Sequence, residues 1–281
     1  MISLFPIATG LVLALSPVED RDRDAISDFD SYLSGDGTAT GDLPASGSFL
    51  YDRSHGGFIT MTDFGNYLIS HGWTFEERTA GALTTEVLDG VDILFLPNGL
   101  YIPFTAEELR VVEAFLDGGG GLWMVNDYMG YEDILNQLSV PLGVTFHDDD
   151  VWGGSLWPGV TGILPHPVTD GVFEYTFYAG SCLEANPPGL LLARLSSGHS
   201  LYCPATPGVL AIWEGSAGRA VFQSDATPLH ATYFPERLSP QHLQLLDNIL
   251  LWLLGTEPVS LQKSSWGSIK TKYQPEDSER E

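Results

Sequence analysis

The chain has 281 residues, 43% of them apolar and 11% aromatic, enough to bury a substantial core and too hydrophobic for wholesale disorder. Its formal net charge is −25, and its only lysines, Lys263, Lys270 and Lys272, stand close to the C-terminus. Such a surface repels nucleic acid phosphates and anionic lipid, which excludes both as expected partners.

The first segment, "MISLFPIATGLVLALSP", holds an uncharged apolar run from Ile2 to Leu15. A membrane-spanning helix needs about 20 residues, so stable insertion is not expected. The run has the length of a signal-peptide core, although no basic residue precedes it and Pro17 follows the Ala14-Leu15-Ser16 step. Residues 1–16 are therefore read as a leader, with an exported, extracytoplasmic protein expected and a cytoplasmic one as the alternative. Residues 17–47, rich in Asp, Ser, Gly and Thr, read as an irregular lead-in.

From Ser48 the pattern becomes regular. "SFLYD" predicts a strand ending on Asp52. "TMTDFGNYLISHG" predicts a helix with Met61, Phe64 and Leu68 inward, Thr60 and Asp63 at capping-box spacing and Gly72 as its stop. "WTFEE" and "VDILFLPNG" predict further strands, the second of the continuous apolar kind buried on both faces. In "FTAEELRVVEAFLDGGGG", Thr105 and Glu108 form a capping box, Leu109, Val112, Phe115 and Leu116 an inward stripe, and Gly118 a terminator. "GLWMV" follows as a strand and "YEDILNQL" as a short helix.

The second half begins irregularly at "HDDDVWGGSLWPG", where His147 to Asp150 read as a solvated acidic loop. Strands are expected at "FEYTFYA", "GLLLARL", "GVLAIWE" and "GRAVFQSD". The closing helix, "SPQHLQLLDNILLWLLG", has Ser239 as cap, Pro240 at its first position and Gly255 past its end, with Leu243, Leu246, Ile249, Leu250 and Leu253 inward. Residues 257–281 read as a disordered tail. Strands alternating with helices predict an α/β fold, a doubly wound and mostly parallel sheet with an irregular β-rich insertion in the second half. Residues 48–256 are expected to form one domain.

In open sheets of this kind ligands collect beyond the carboxyl ends of the strands. Three predicted strands deliver an acid there: Asp52, Asp127 and Asp225. His55 lies just past Asp52, beside Gly56 and Gly57, and Tyr128 follows Asp127. The expectation is a polar crevice of Asp52, His55, Asp127, Tyr128 and Asp225 that binds a small polar ligand. The competing reading has these acids capping the loops and helices that follow each strand. No spacing of metal ligands, no phosphate-binding loop and no G-x-S-x-G elbow occurs, so no metal or other cofactor is expected. Cys182 and Cys203 are compatible with one disulfide or with two buried thiols.

The motifs "LYDRSHGGF", "VDILFLPNG", "FTAEELRVVEAFLDGGGGLWMVNDY", "HPVTDGV", "VLAIWEGSAGRAVFQSD" and "LLDNILLWL" resemble the class I glutamine amidotransferase-like superfamily, in its divergent, uncharacterised branch. They are also similar to the domain that follows the subtilisin-like domain of site-1 proteases. The resemblance implies a flavodoxin-like, amidotransferase-like fold. It also implies a nucleophilic cysteine on the turn after "GLWMV", where this chain has Asn126, Asp127 and Tyr128. After "GRAVFQS", Asp225 stands where a histidine is expected. Without a thiolate no glutaminyl-enzyme can form, so glutaminase activity is not expected. Two further readings stay open: a hydrolase using Asp127 or Asp225 with His55, with or without a metal, and a module that docks on a protein partner. The oligomeric state is left open.

Overall fold

The computed structural model describes residues 46–57, 59–127, 132–147, 151–152, 159–195, 207–231, 234–235 and 238–256. All lie in Gly37–Glu281, the second of the two units into which the chain divides, Met1–Asp36 being the first. The leader at 1–16, nearly all of the lead-in, the tail at 257–281, Tyr128, Cys203 and the run Asp148 to Asp150 fall outside the described residues.

The alternating half consists of β1 (Ser48–Asp52), α1 (Thr62–Ser70), β2 (Thr74–Arg78), α2 (Thr85–Leu88), β3 (Ile93–Leu96), α3 (Ala106–Asp117), β4 (Gly121–Val125) and α4 (Glu132–Ser139). The second half runs β5 (Val144–Phe146), β6 (Val151–Trp152), β7 (Gly159–Ile163), β8 (Tyr175–Thr176), β9 (Ala179–Gly180), β10 (Leu183–Ala185), β11 (Leu190–Leu195), β12 (Gly208–Glu214) and β13 (Arg219–Gln223). It closes with α5 (Pro240–Leu253).

Five strands in the order β2-β1-β3-β4-β13 pair in parallel. The β-rich second half extends this sheet antiparallel through β12, β11, β7 and β8, with β10 and β5 branching from β12, while β6 and β9 pair separately. The α/β class, the parallel sheet and the β-rich second half are those expected from the sequence.

Because successive side chains of a strand point to opposite faces, each central strand feeds two cores. Phe49, Tyr51, Ile93, Phe95, Trp123, Val125 and Val221 share one with Phe64 and Leu68 of α1 and with Leu246 and Ile249 of α5. Leu50, Leu94, Leu96, Leu122, Met124, Ala220 and Phe222 share the other with Val112 of α3 and Leu135 of α4. The first core is aromatic: Phe49 lies 5.7 Å from both Phe64 and Phe95, and Trp123 5.3 Å from Phe95, between ring centroids. Truncating such a ring typically costs about 3–5 kcal/mol.

The α3 capping box forms as expected, with Glu108 N donating to Thr105 Oγ1 at 3.2 Å and Thr105 N to Glu108 Oε2 at 2.8 Å. The box expected at α1 does not: that helix starts at Thr62 with Met61 as its N-cap and no side-chain cap bond. Thr60 instead lies outside the helix, its carbonyl accepting from Ala231 N at 2.9 Å. Around α3, Val111 is buried while Leu109 and Phe115 are only partly so. Helix α5 is buried on more than its expected stripe, because the sheet covers one side and the segment Pro167–Thr169 packs on another. Asn248 Nδ2 fixes that segment by donating to the carbonyls of Val168 (3.2 Å) and Asp170 (2.8 Å).

Candidate functional site

The strand order reverses between β1 and β3, so the polar ends of these strands define the place where such folds collect ligands. Asp52 closes β1 on the α3 face, following Leu50 by two residues, and is fully buried. Arg78, its register partner at the end of β2, places Nη1 2.9 Å from both Asp52 Oδ1 and Ser54 Oγ and donates to each. Ser54 Oγ donates to Asp52 Oδ2 at 3.0 Å.

His55, 4% exposed, lies with Nδ1 3.1 Å from Ser54 Oγ and 3.5 Å from Asp52 Oδ2, and with Nε2 3.1 Å from Glu108 Oε1. The Phe104 ring covers it, centroid to centroid 4.2 Å. Burial pushes the Glu108 carboxyl up, but hydrogen bonds from Thr105 N, Thr105 Oγ1 and Leu83 N, together with His55, outweigh it and hold it below the ordinary glutamate value. Two acids thus face two bases in a closed network, suited to fixing the loop after β1.

That loop is zipped to the loop after β3. Gly57 N donates to Gly99 O at 3.0 Å, Gly56 forms a bridge with Leu100, and His55 O accepts from Tyr101 N (2.9 Å) and Ile102 N (3.0 Å). Glycine is required on the β1 side. Gly56 and Gly57 have φ of +110° and +108°, and an added Cβ would stand 2.6 Å from the Tyr101 ring or 2.7 Å from Pro97 Cγ respectively. The two loops are therefore tied together across the switch point between β1 and β3.

Asn98 and Asn126 follow β3 and β4. Asn98 is 5% exposed and Asn126 fully buried; Asn126 Nδ2 donates to Ser181 Oγ at 3.0 Å. The Oδ1 atoms of both are buried without a hydrogen-bond partner among the described residues. Asp127, half-buried, comes next, and Tyr128 lies outside the described residues.

Asp225 sits elsewhere. It follows Val221 and Gln223 in alternation, on the α5 face, where Oδ2 accepts from Tyr178 N at 2.8 Å and Oδ1 from Thr227 N at 2.9 Å. Burial pushes its carboxyl up to about 7, against the lowering effect of those hydrogen bonds, and burial together with Asp225 raises the Tyr175 hydroxyl. Tyr175 and Tyr178 flank His242 at 5.2 and 6.3 Å between centroids; burial drives this histidine down to about 3, and neither of its ring nitrogens has a hydrogen-bond partner. Two strands separate β1 from β13, about 14 Å at the usual interstrand spacing. So Asp52 and His55 come together as expected, whereas Asp225 lies on the opposite face of the sheet, in its own cluster.

Glu108, Arg78, Ser54 and Asn98 were not singled out by their sequence context as members of this edge. Glu108 carried a signal only as the third residue of a helix cap, and nothing local links it to His55. Among the described residues no group of three or more His, Cys, Asp or Glu side chains is disposed to hold a metal ion, and no helix is long and apolar enough to cross a membrane. Cys182 is disulfide-bonded; the other cysteine of the sequence, Cys203, lies outside the described residues.

No family model and no curated protein matches the chain. Solved structures do. The mmIFT52 N-terminal domain matches with a TM-score of 0.62 at 18% identity, covering 73% of this chain and 97% of its own. The cytoplasmic protein STM3548 from Salmonella typhimurium matches with a TM-score of 0.54 at 17% identity, covering 74% of this chain and 98% of its own. A ThuA-like protein from Bacteroides uniformis gives 0.53 at 15% identity, covering 75% and 91%. The likeness is one of fold. It assigns no family and no activity.

Proposed function

We propose that this chain is a non-catalytic binding module of amidotransferase-like fold, which holds a small polar ligand, a carbohydrate among the candidates, at the carboxyl edge of β3 and β4. The observation that carries this is the end of β4. On the turn where the family resemblance expects a nucleophilic thiol, with Asp127 in its place, the chain has Asn126, Asp127 and Tyr128, and Asn126 is fully buried and hydrogen-bonded to Ser181. A carboxamide binds through hydrogen bonds and supplies no nucleophile for acyl transfer. Cys182, held in a disulfide, supplies no thiolate either. The hydrolase alternative needs His55 as partner of Asp127 or Asp225, but its ring nitrogens face Ser54, Asp52 and Glu108. The disulfide supports an oxidising, extracytoplasmic location.

The test is calorimetric titration of the purified chain with a panel of neutral sugars, amino sugars and small metabolites, repeated on Asp127→Ala. Saturable heat that weakens in the variant supports a binding edge. A panel without binding, together with a variant altered only in stability, removes the ligand and leaves the fold.

A further inference from the structure

Asn98 and Asn126 lie just past the ends of the neighbouring strands β3 and β4. The register that pairs Leu96 of β3 with Met124 of β4 brings the two asparagines, each two residues further on, to the same height at a strand spacing of about 5 Å. Leu96 and Met124 belong to the core on the α3 side, and continuing the strand alternation two residues past each of them gives both asparagines that side.

Each contributes a carboxamide oxygen that is buried and unmatched. A single unmatched acceptor is costly for a fold, and two past the ends of adjacent strands call for donors that the described residues do not provide. The loop pairing at Gly56, Gly57, Gly99 and Leu100 lies on the β1 side of Asn98.

Carboxamide oxygens accept only, so the missing group bears N–H or O–H. The field decides between these. Asp52 and Glu108 face Arg78 and His55, so that network adds no net positive charge. Asp127 adds an acid next to Asn126, and the whole chain carries −25. A positively charged donor is favoured there.

We propose that Asn98 Oδ1 and Asn126 Oδ1 together accept hydrogen bonds from a primary ammonium group of the ligand, so that the module is selective for small amine-bearing molecules. This narrows the ligand class and rests on the binding function proposed above.

The experiment uses the full chain labelled with 15N-asparagine, in which the side-chain carboxamide signal of Asn98 is assigned by its loss in Asn98→Ala. Methylammonium chloride, tetramethylammonium chloride, potassium chloride and glycerol are titrated separately. The expected result is a saturable shift of the Asn98 and Asn126 carboxamide signals with methylammonium alone. In Asn98→Ala the affinity read at Asn126 falls about tenfold or more, the scale of a lost hydrogen bond to a charged group. Asn98→Asp, which keeps an acceptor and adds a charge, tightens the same probe and serves if the alanine variant does not fold. Equal shifts with potassium or tetramethylammonium overturn the N–H donor, and saturation by glycerol without methylammonium overturns the ammonium class while leaving a polar-ligand edge. No saturable shift with any probe overturns both.

Discussion

The imidazole of His55 reaches from the loop after β1 to the first turn of α3, where its Nε2 lies 3.1 Å from Oε1 of Glu108. One carboxylate thereby caps a helix through Thr105, receives Leu83 N, and faces a histidine that also meets the end of β1. The strand-end loop and the helix start are locked by one side chain.

Glu108→Ala removes all of these contacts and leaves His55 beside Asp52 without its second carboxylate. A loss of about 3–5 kcal/mol is expected, as for other buried pairs broken from one side. Thr105→Ala, which removes the cap hydroxyl but keeps the His55 contact, is expected to cost about 1 kcal/mol. Urea denaturation of the two variants measures the difference, and similar losses would show that the His55–Glu108 contact contributes little.

His242 presents the reverse case. Its ring is buried between Tyr175 and Tyr178 with both nitrogens unmatched. Replacing it with phenylalanine keeps the shape and removes two desolvated polar atoms, so His242→Phe is expected to stabilise the protein by about 1–3 kcal/mol at neutral pH. The gain should grow on acidification. The folded ring titrates near 3, so between 6.5 and 3 the unfolded chain binds a proton that the folded one refuses, and wild-type stability falls with pH in that window. A lower midpoint for the variant than for wild type would contradict this.

Asp225 and Asp247 act in the opposite sense. Burial raises them to about 7 and about 6, so the folded state holds protons that the unfolded state has released above 3.8. Their contribution to stability is greatest at low pH and declines as pH rises towards 7. In Asp225→Asn one of these declining terms is gone. The stability of wild type minus that of the variant should fall as pH rises from 4 to 7, which denaturation midpoints across that range will show. A constant difference would mean that Asp225 is ionised throughout in the folded protein.

Gly57→Ala tests the loop pairing. With φ of +108° and Pro97 Cγ 2.7 Å from the added Cβ, the β3 loop has to move or the backbone has to strain. A cost of about 1–3 kcal/mol is expected, seen as a lower melting temperature. The Asn98 carboxamide signal should shift with it, because Pro97 and Asn98 share that loop; an unchanged signal would separate the pairing from the asparagine edge.

Much of the fold is legible in local pattern. The Thr105–Glu108 box, the apolar strands "ILFL" and "GLWMV" and the Ser239-Pro240 start of α5 each occur where the residues place them. The two- and three-residue strands β5, β6, β8, β9 and β10 are too short to carry a period, and they form only because neighbours in the sheet hold them. The candidate site was legible in part for a different reason. A strand buried on both faces is apolar throughout, so nothing in "SFLYD" or "GRAVFQSD" marks which face its final acid will join. Asp52 shares the parity of Leu50 and Asp225 that of Val221, and only the packed helices reveal these as opposite sides. Asn98 gave no signal because an asparagine at a strand end is an ordinary turn residue, and Asn126 stood out only through the family resemblance. Their significance lies in what their oxygens lack.

The central claim is that the edge of β4 binds and does not cut. Incubation of the purified chain with glutamine, followed by measurement of released ammonia, tests it most directly. The account predicts release no faster than in a protein-free blank. Ammonia production that scales with protein concentration and disappears in Asp127→Ala would contradict it.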